Sequence, residues 1–380
     1  MKILFLSNFF DHHVKPISES LFRHQNVEYY FVATKKMTEE RIKLGYDIND
    51  KPDYVIEVDM ADRIEVDMMK LKVQQADIVI YGAAPFNLIQ NRLNDGKLTY
   101  MYCERLFKKG ISVSSYLRLL LGNLRTLMFH KNFYLLSASA YAPRDFAITG
   151  CFINKAFKWG YFPPVRHYEK IGNIIENKNK KSILWVGRYI DWKHPEIPIN
   201  IAKRLKEEGV PFHLDMIGTG VLMDELRNDI ISYKLEDVIT LHGSMTPNEV
   251  RDYMESCEIL LFTSDKNEGW GAVLNEAMNS GCAVIANRSI GAVPYILEHY
   301  SNGLIYDNLE QIYNFTVMLL QDSSLRKTIS QNAYRTIVNE WNADKAVENL
   351  MILSDNILSG DRSKFIPNGP CSKALRLKDN

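Results

Sequence analysis

Short apolar runs alternate with longer amphipathic segments along most of the chain. In the first half, the apolar run 3–6 and the run 77–81, which is apolar after Asp77, each lead into a loop and then a helical pattern. The first of these helical patterns is at 17–24. The second half repeats this order from the apolar run 183–186 and the helical pattern 195–208. Short, continuous apolar runs are typical of parallel strands that are buried on both faces. With the intervening helices, they predict an α/β fold with doubly wound sheets.

One polar stretch interrupts this alternation. Residues 166–181 are rich in Lys and Asn, which predicts a linker between one domain at 1–165 and a second at 182–342. A further helical segment follows at 343–360, and the polar tail 361–380, with Pro and Gly, is expected to be loose. A length of 380 residues is sufficient for two to three domains with their own cores.

The most informative segment follows the apolar run 259–263, which predicts a buried strand. Gly269 and Gly271 flank a tryptophan and allow a tight turn with close approach to a ligand. A helical pattern begins at about residue 272, so Glu268 precedes the helix and Glu276 lies inside it. Loops at the carboxyl ends of parallel strands bind ligands, and helix N-termini favour anions. Taken alone, either glutamate is also explained as a solvated surface acid or as a partner of the helix dipole.

Composition and charge exclude several classes of protein. Lys plus Arg and Asp plus Glu both number 46, so no global basic charge indicates nucleic-acid binding. The five cysteines are scattered, without a CxxC pair or zinc-ligand spacing, which favours reduced thiols and an intracellular protein. The N-terminus is too soon polar for a signal peptide, and no apolar run is long enough to span a bilayer. We therefore expect a cytoplasmic protein.

The segment Glu-Gly-Trp-Gly…Glu-Ala-Met…Gly, with seven residues between its glutamates, resembles the hallmark of the retaining nucleotide-sugar glycosyltransferases of family 4. The resemblance is strong over 182–307. It implies the GT-B fold, in which two Rossmann-like domains face each other across a cleft. The first domain then binds the acceptor and the second binds the nucleotide sugar, while the helix at 343–360 crosses back to the first domain. The implied reaction transfers a sugar from a UDP- or GDP-sugar to a saccharide or lipid-linked acceptor with retention, commonly in bacterial surface polysaccharide synthesis.

The resemblance also implies roles for residues of the second domain. Glu276 would bind the ribose, and Glu268 would hold the transferred sugar and stabilise charge at the reacting centre. The donor diphosphate would be bound by Arg188, Lys193 and the turn Gly269-Trp270-Gly271. The nucleotide cleft would include Gly187, Gly218 and His242, although a structural role of His242 at the end of a strand is an equal alternative. The chain has no Asp-x-Asp motif, and the cations can replace a metal, so no metal or other cofactor is expected.

The acceptor side is less clearly marked. The loop after the first strand has no glycine, unlike its family counterparts, and Asp11, His12 and His13 in it are candidates for acceptor contacts or simply polar loop residues. Glu104, at the end of a predicted strand, is a candidate catalytic residue. The basic segment 116–131 is either a peripheral membrane contact on the inner face or a core helix with solvated arginines.

Two alternatives to this function follow from the same patterns. The first is a sugar-nucleotide epimerase or phosphorylase on the same fold. The second is a non-catalytic partner subunit that retains the fold but not the chemistry. The complete set of Arg188, Lys193, Glu268 and Glu276 favours a transferase over both.

Overall fold

The computed structural model describes residues 1–37, 51–108, 110, 112–126, 130–361 and 366–378. The chain divides into two compact units. The first comprises Met1–Pro164 and Asn342–Asp379, and the second comprises Val165–Trp341.

The first unit is built on a seven-stranded parallel sheet. Its strands are β1 (Lys2–Ser7), β2 (Glu28–Ala33), β3 (Val55–Glu57), β4 (Ile78–Tyr81), β5 (Thr99–Cys103), β6 (Phe133–Ser137) and β7 (Ala156–Lys158), in the order β3-β2-β1-β4-β5-β6-β7. Its helices before the second unit are α1 (Lys15–Arg23), α2 (Arg63–Gln75), α3 (Gln90–Asn94), α4 (Val113–Thr126) and α5 (Ala142–Ile148), with a 3₁₀ turn at Phe86–Leu88. The strand order reverses between β1 and β4, where an open α/β sheet binds ligands at its carboxyl edge.

The second unit contains a six-stranded parallel sheet in the order β10-β9-β8-β11-β12-β13. Its strands are β8 (Asn179–Val186), β9 (His213–Ile217), β10 (Ile239–Gly243), β11 (Cys257–Phe262), β12 (Ala283–Asn287) and β13 (Leu304–Tyr306). Its helices are α6 (Ile171–Glu176), α7 (Glu196–Glu207), α8 (Met223–Ser232), α9 (Pro247–Ser256), α10 (Val273–Asn279), α11 (Val293–Ile296), α12 (Leu309–Gln321) and α13 (Ser323–Asn339), with a 3₁₀ turn at Asp191–Lys193. The reversal of strand order lies between β8 and β11.

The central strands are buried and mostly apolar, β4 throughout and β11 with Glu258 as its one charged residue. All six residues of β11 are buried, as are all four residues of β4. Parallel strands covered in this way have no solvent-facing side, so the polar-apolar alternation of a half-exposed strand is missing. The doubly wound prediction is confirmed by the parallel register of both sheets.

The stretch that was predicted as a linker is folded into the second unit. Residues 166–181 include α6 and the start of β8. Ile175 is buried, and the Lys178 ammonium donates to the backbone oxygens of Met254 (2.7 Å), Glu255 (3.0 Å) and Ser280 (3.0 Å). The lysines of this stretch predicted exposure to solvent. Lys178 can instead be buried because backbone oxygens accept hydrogen bonds from its ammonium.

The chain returns to the first unit through α14 (Ala343–Ser359). The Asn342 side chain caps this helix by accepting from the Lys345 amide at 2.9 Å.

The tail was expected to be loose, but its described part is held against β7. Backbone bonds join Lys158 to Ser372 (2.8 Å) and Ala374 to Ala156 (3.1 Å). Cys371 is buried there, so backbone pairing fixes a polar tail that has no secondary-structure signal of its own.

Candidate active site

The carboxyl ends of β8 and β11 bring a cation and a carboxylate together. Lys193 ends the 3₁₀ turn after β8, and Glu268 lies in the loop after β11. The Lys193 ammonium contacts Oε2 of Glu268, and the two side chains are 14% and 12% exposed. These predicted site residues therefore meet although 75 positions separate them. A partly buried ion pair of this kind supplies fixed charge in a region of reduced dielectric.

Arg188 and Lys193 both lie next to the indole ring of Trp192, a residue that was not predicted as part of the site. The guanidinium carbon of Arg188 is 5.7 Å from the ring centre of Trp192, and Nζ of Lys193 is 4.7 Å from it. Arg188 is exposed, whereas Trp192 and Lys193 are partly buried. The Trp192 carbonyl accepts from the Asp265 amide at 3.0 Å, which ties this loop to the loop of Glu268. Two cations next to one aromatic ring form a compact positive site.

Trp270 is part of the core. Its side chain is fully buried, and its indole N–H donates to Oδ1 of Asn275 at 3.0 Å. Its ring centre lies 5.8 Å from that of Trp341. The indole predicted near the diphosphate is therefore turned into the fold, and only the backbone of Gly269-Trp270-Gly271 remains for a ligand. Gly271 is required by its φ of +90°, and a Cβ there would lie 2.4 Å from Phe262.

Glu276 lies in the first turn of α10 and is partly buried. Burial raises the pKa of this carboxyl above its usual range, while the charges of Arg251 and Arg166 oppose the shift. Within the described ranges no hydrogen bond to its carboxylate oxygens is found. Because α10 has only seven residues, no anion site is assigned to its N-terminus.

The predicted cleft glycines pack the strand-end loops against each other. A Cβ on Gly218, at a φ of +144°, would lie 1.8 Å from the carbonyl oxygen of Gly187. The Gly187 amide donates to Ile217 at 3.0 Å, and the Tyr189 amide donates to Thr219 at 2.9 Å. Gly218 therefore permits a backbone contact that a side chain would block.

His242 is held by two neighbours at the end of β10. Its Nε2 is 2.7 Å from Oδ1 of Asp215, and its Nδ1 is 3.3 Å from the hydroxyl of Tyr253. The ring is 4.7 Å from that of Tyr253. Both ring nitrogens therefore have partners, as the structural alternative at the end of the strand requires.

In the first unit, the loop after β1 folds around Asp11. The Asp11 carboxylate accepts from the amides of His13 (3.0 Å) and Val14 (3.3 Å), just before α1. The rings of His12 and His13 lie 4.0 Å apart. Partial desolvation by the surrounding protein lowers the pKa of His12, although its side chain is largely exposed, and the Asp11 charge opposes that shift. The aspartate thus shapes the loop, and the two imidazoles form its surface.

Glu104 is joined to this loop by Tyr161. The Tyr161 hydroxyl donates to Oε1 of Glu104 at 2.6 Å, and the Lys108 ammonium donates to Oε2 at 2.5 Å. The ring of Tyr161 stacks on that of His13, with centres 5.0 Å apart. Two features that were predicted separately, the loop 11–13 and Glu104, therefore form one cluster at the carboxyl edge of the first sheet.

Comparison with solved structures gives the architecture a name. The structure of HepE from Anabaena in complex with UDP matches 93% of this chain and 100% of its own, with a TM-score of 0.67 and 15% identity. A glycosyltransferase from Rickettsia africae matches over 95% and 99% of the two chains, with a TM-score of 0.64 and 15% identity. The chain has the GT-B fold.

Sequence comparison adds a family match within this GT-B chain. Residues 169–336, nearly the whole second unit, match the family model of group 1 glycosyl transferases. An uncharacterized glycosyltransferase of Methanocaldococcus jannaschii is 30% identical over 151 residues, which cover 39% of this chain and 41% of that protein. The putative colanic acid biosynthesis glycosyltransferase WcaL of Escherichia coli is 30% identical over 126 residues, 32% of this chain and 31% of that protein. Each match spans less than half of the relative.

The basic segment of the GT-B chain is α4. Val113, Leu117 and Leu121 are 78%, 50% and 57% exposed, and their spacing of four places them on one stripe of the helix. The predicted segment extended to residue 131, and residues 127–129 lie outside the described part of the chain. Among the described residues, no helix has the length and apolarity that crossing a bilayer requires.

Several residues of these sites escaped the sequence analysis. Thr263 and Ser264 follow β11 directly. Polar residues immediately after a buried strand are typical of ligand sites in parallel sheets, so these two could have been predicted from the sequence. Trp192 and Tyr161 carry no comparable signal, because an isolated aromatic residue is usually predicted to belong to the core.

Among the described residues, no group of three or more His, Cys, Asp or Glu side chains is arranged to hold a metal ion.

Proposed function

We propose that the protein is a glycosyltransferase that moves a sugar from a nucleotide diphosphate sugar to a saccharide or lipid-linked acceptor, with retention. The observation that supports this most directly is the contact of Lys193 with Glu268, beside the exposed Arg188. A leaving diphosphate needs fixed positive charge, and a sugar needs a carboxylate for its hydroxyls. The pair supplies both within one site.

In this proposal, Lys193 and Arg188 bind the diphosphate, which replaces Glu268 as the partner of Lys193. Glu268 then accepts hydrogen bonds from the sugar and stabilises the positive character that develops on its ring. Glu276 accepts from the ribose hydroxyls. The bond from the anomeric carbon to the diphosphate oxygen breaks, and the nucleoside diphosphate leaves with the electron pair. The acceptor oxygen forms the new bond to the anomeric carbon, and its proton passes to an oxygen of the departing diphosphate.

The acceptor would bind at the cluster of Asp11, His12, His13 and Glu104 in the first unit. Names of relatives support a surface polysaccharide as the product: besides WcaL, an amylovoran biosynthesis glycosyltransferase of Erwinia amylovora is 31% identical over 126 residues. The UDP bound to HepE makes UDP-sugars the first donors to test, with GDP-sugars next.

We also propose that transfer requires no metal or other cofactor, because Arg188 and Lys193 supply the charge that a divalent cation supplies elsewhere. Full activity in excess EDTA is the expected result. Loss of activity that Mg²⁺ or Mn²⁺ restores would contradict it.

The deciding experiment incubates the protein with UDP-, GDP-, ADP- and CMP-sugars, without acceptor or metal, and measures nucleotide release. We expect slow release from one donor, lost in Arg188→Ala and Glu276→Ala but retained in Arg227→Ala and Glu236→Ala, which remove exposed charges elsewhere in the second unit. Nuclear magnetic resonance of the product with an acceptor would then establish the anomer.

Two outcomes would favour the alternatives. Donor binding without release or transfer would favour a non-catalytic partner subunit. Conversion of the donor into an epimeric nucleotide sugar would favour an epimerase.

A lipid-linked acceptor would place the protein at the inner face of a membrane, and α4 suits this location. Its exposed stripe of Val113, Leu117 and Leu121 adjoins the exposed Arg118, and apolar and basic side chains together favour anionic lipid surfaces. We expect the protein to sediment with anionic liposomes and Arg118→Glu/Arg125→Glu to remain in solution. A wild-type protein that stays in solution, or equal sedimentation of both proteins, would show that the charges of α4 do not bind the protein to a membrane.

A further inference from the structure

Two buried hydroxyls stand between the end of β11 and the site. Thr263 and Ser264 are 0% and 1% exposed and follow the last residue of the strand. A buried hydroxyl is costly unless it is hydrogen-bonded, so the partners of each one show what it holds in place.

Thr263 holds the loop that carries Lys193. Its Oγ1 accepts from the indole N–H of Trp185 at 2.8 Å. The same hydroxyl donates towards the backbone oxygens of Lys193 (2.7 Å) and His194 (3.1 Å). Trp185 is a buried residue of β8, so the hydroxyl connects the two strands on either side of the switch point to the turn after β8.

Ser264 holds the carboxylate. Its hydroxyl donates to Oε2 of Glu268 at 3.0 Å, the same oxygen that Lys193 contacts. In the proposed function, a bound diphosphate replaces Glu268 as the partner of Lys193. Ser264 then remains as the hydrogen-bond donor to Oε2 and keeps the carboxylate oriented during the chemical step.

We propose that Thr263 and Ser264 are positioning residues of the transfer reaction, with separate tasks. Thr263 fixes Lys193 and so sets the affinity for the nucleoside diphosphate. Ser264 orients Glu268 and so sets the rate of the chemical step. This inference rests on the proposed function. If the two hydroxyls only formed structural hydrogen bonds in the core, their removal would not change nucleotide affinity and kcat selectively.

The first test concerns Thr263→Val, which keeps the shape and removes the hydroxyl. Titration with UDP and with GDP should show a loss of affinity of about 10-fold, and Thr263→Ser, which keeps the hydroxyl, should recover most of it. Amide hydrogen exchange at 188–194, measured without nucleotide, should accelerate in Thr263→Val. The matched control is Thr316→Val, since Thr316 is a fully buried threonine whose hydroxyl donates to the Ile312 carbonyl on α12.

The second test concerns Ser264→Ala. We expect nucleotide affinity within about 2-fold of wild type and a kcat for donor hydrolysis about 10-fold lower, because one hydrogen bond to a charged group is lost. Ser330→Ala, at another serine of 1% exposure, on α13, controls for the loss of a buried hydroxyl.

Failure of this inference differs from failure of the proposed function. A wild-type protein that releases nucleotide, with Ser264→Ala of unchanged kcat or Thr263→Val of unchanged affinity, would overturn the positioning roles alone. A wild-type protein that neither binds nor hydrolyses a donor would overturn the proposed function. In that case, unchanged exchange at 188–194 in Thr263→Val would also reject the role of Thr263 in fixing the loop, and accelerated exchange would support it.

Discussion

Burial and charge oppose each other at Glu276. The folded state holds this carboxyl in a poorly solvated place, so its pKa is raised, although Arg251 and Arg166 attract the anion. Because the folded pKa lies above the unfolded value, the associated stability is complete below the unfolded pKa and is lost as pH rises through the folded one. Deprotonation of Glu276 therefore lowers the stability of the folded state.

Glu276→Gln should separate stability from donor binding. We expect a higher thermal midpoint at pH 7, because the substitution removes a carboxylate whose desolvation outweighs its attraction to Arg251 and Arg166. We also expect a loss of nucleotide affinity on the order of 10-fold, because a carboxylate binds a diol more strongly than an amide. Differential scanning calorimetry and nucleotide titration measure the two effects. Glu236→Gln, at an exposed position of the second unit, should change neither. A lower midpoint for Glu276→Gln would contradict the argument.

Tyr161 is the residue on which the first-unit cluster depends. It touches both the carboxylate of Glu104 and the ring of His13. Burial, together with the neighbouring Tyr102 and Glu104, raises its pKa, so it remains a neutral hydrogen-bond donor.

Tyr161→Phe keeps the ring stack and removes the hydrogen bond to Glu104. We expect transfer to the acceptor to fall by about 10-fold while UDP binding is unchanged, because the donor site belongs to the second unit. Steady-state transfer assays and nucleotide titration test this, with Tyr30→Phe as a control in the same unit. An equal loss in both variants would indicate that the effect is general and that the hydrogen bond from Tyr161 to Glu104 does not contribute to transfer.

Among the elements, β7 owes part of its protection to the C-terminal tail. β7 is the last strand of its sheet, and an unpaired edge strand is a site of association between chains. The tail pairs with it at Ala156 and Lys158 and buries Cys371 beside it. The Asn349 side-chain amide of α14 also donates to the Pro370 carbonyl at 2.9 Å, which is a second attachment of the tail to the first unit.

Truncation after Gly360 should therefore expose the edge of β7. We expect a thermal midpoint lower by at least about 3 °C and self-association that rises with concentration. Calorimetry and analytical ultracentrifugation measure these effects, and a chain lacking only residues 379–380 is the control. A truncated chain that stays monomeric and equally stable would show that the tail does not protect the strand.

At the scale of the whole molecule, the chain completes its first unit only after finishing its second. α14 buries Leu350 and Leu353 in the first unit, and its Ser354 hydroxyl is 3.0 Å from that of Tyr100 on β5. Asp344 accepts from Ser20 of α1 at 2.6 Å. The first unit therefore needs both ends of the chain, whereas the second is formed by one continuous segment.

Leu350→Ala should weaken the first unit alone. Leu350 is fully buried, so the substitution should cost about 2–5 kcal/mol and accelerate amide exchange in β1, with β11 unchanged. The matched variant Leu319→Ala, at an equally buried leucine of α12, should produce the opposite pattern. Exchange that accelerates equally in both sheets would show that the two units unfold together.

The sequence determined the features that depend on local pattern. Apolar runs of the right length located the central strands, because parallel strands covered on both faces must be apolar throughout. The glycine turn and the two glutamates identified the segment at the end of β11, since Gly271 occupies a conformation that other residues rarely adopt. The resemblance of that segment to a family indicated the GT-B fold.

Only the tertiary structure decided which distant residues meet. It brought Lys193 to Glu268 and joined His13 to Glu104 through Tyr161, and it turned Trp270 into the core. It also folded the polar stretch at 166–181 and the described tail onto their units. The physical reason is the same in each case. Hydrogen bonds and burial between residues far apart in sequence leave no local periodicity, so polar residues were predicted to be exposed to solvent. The fold instead buries some of them with hydrogen-bond partners.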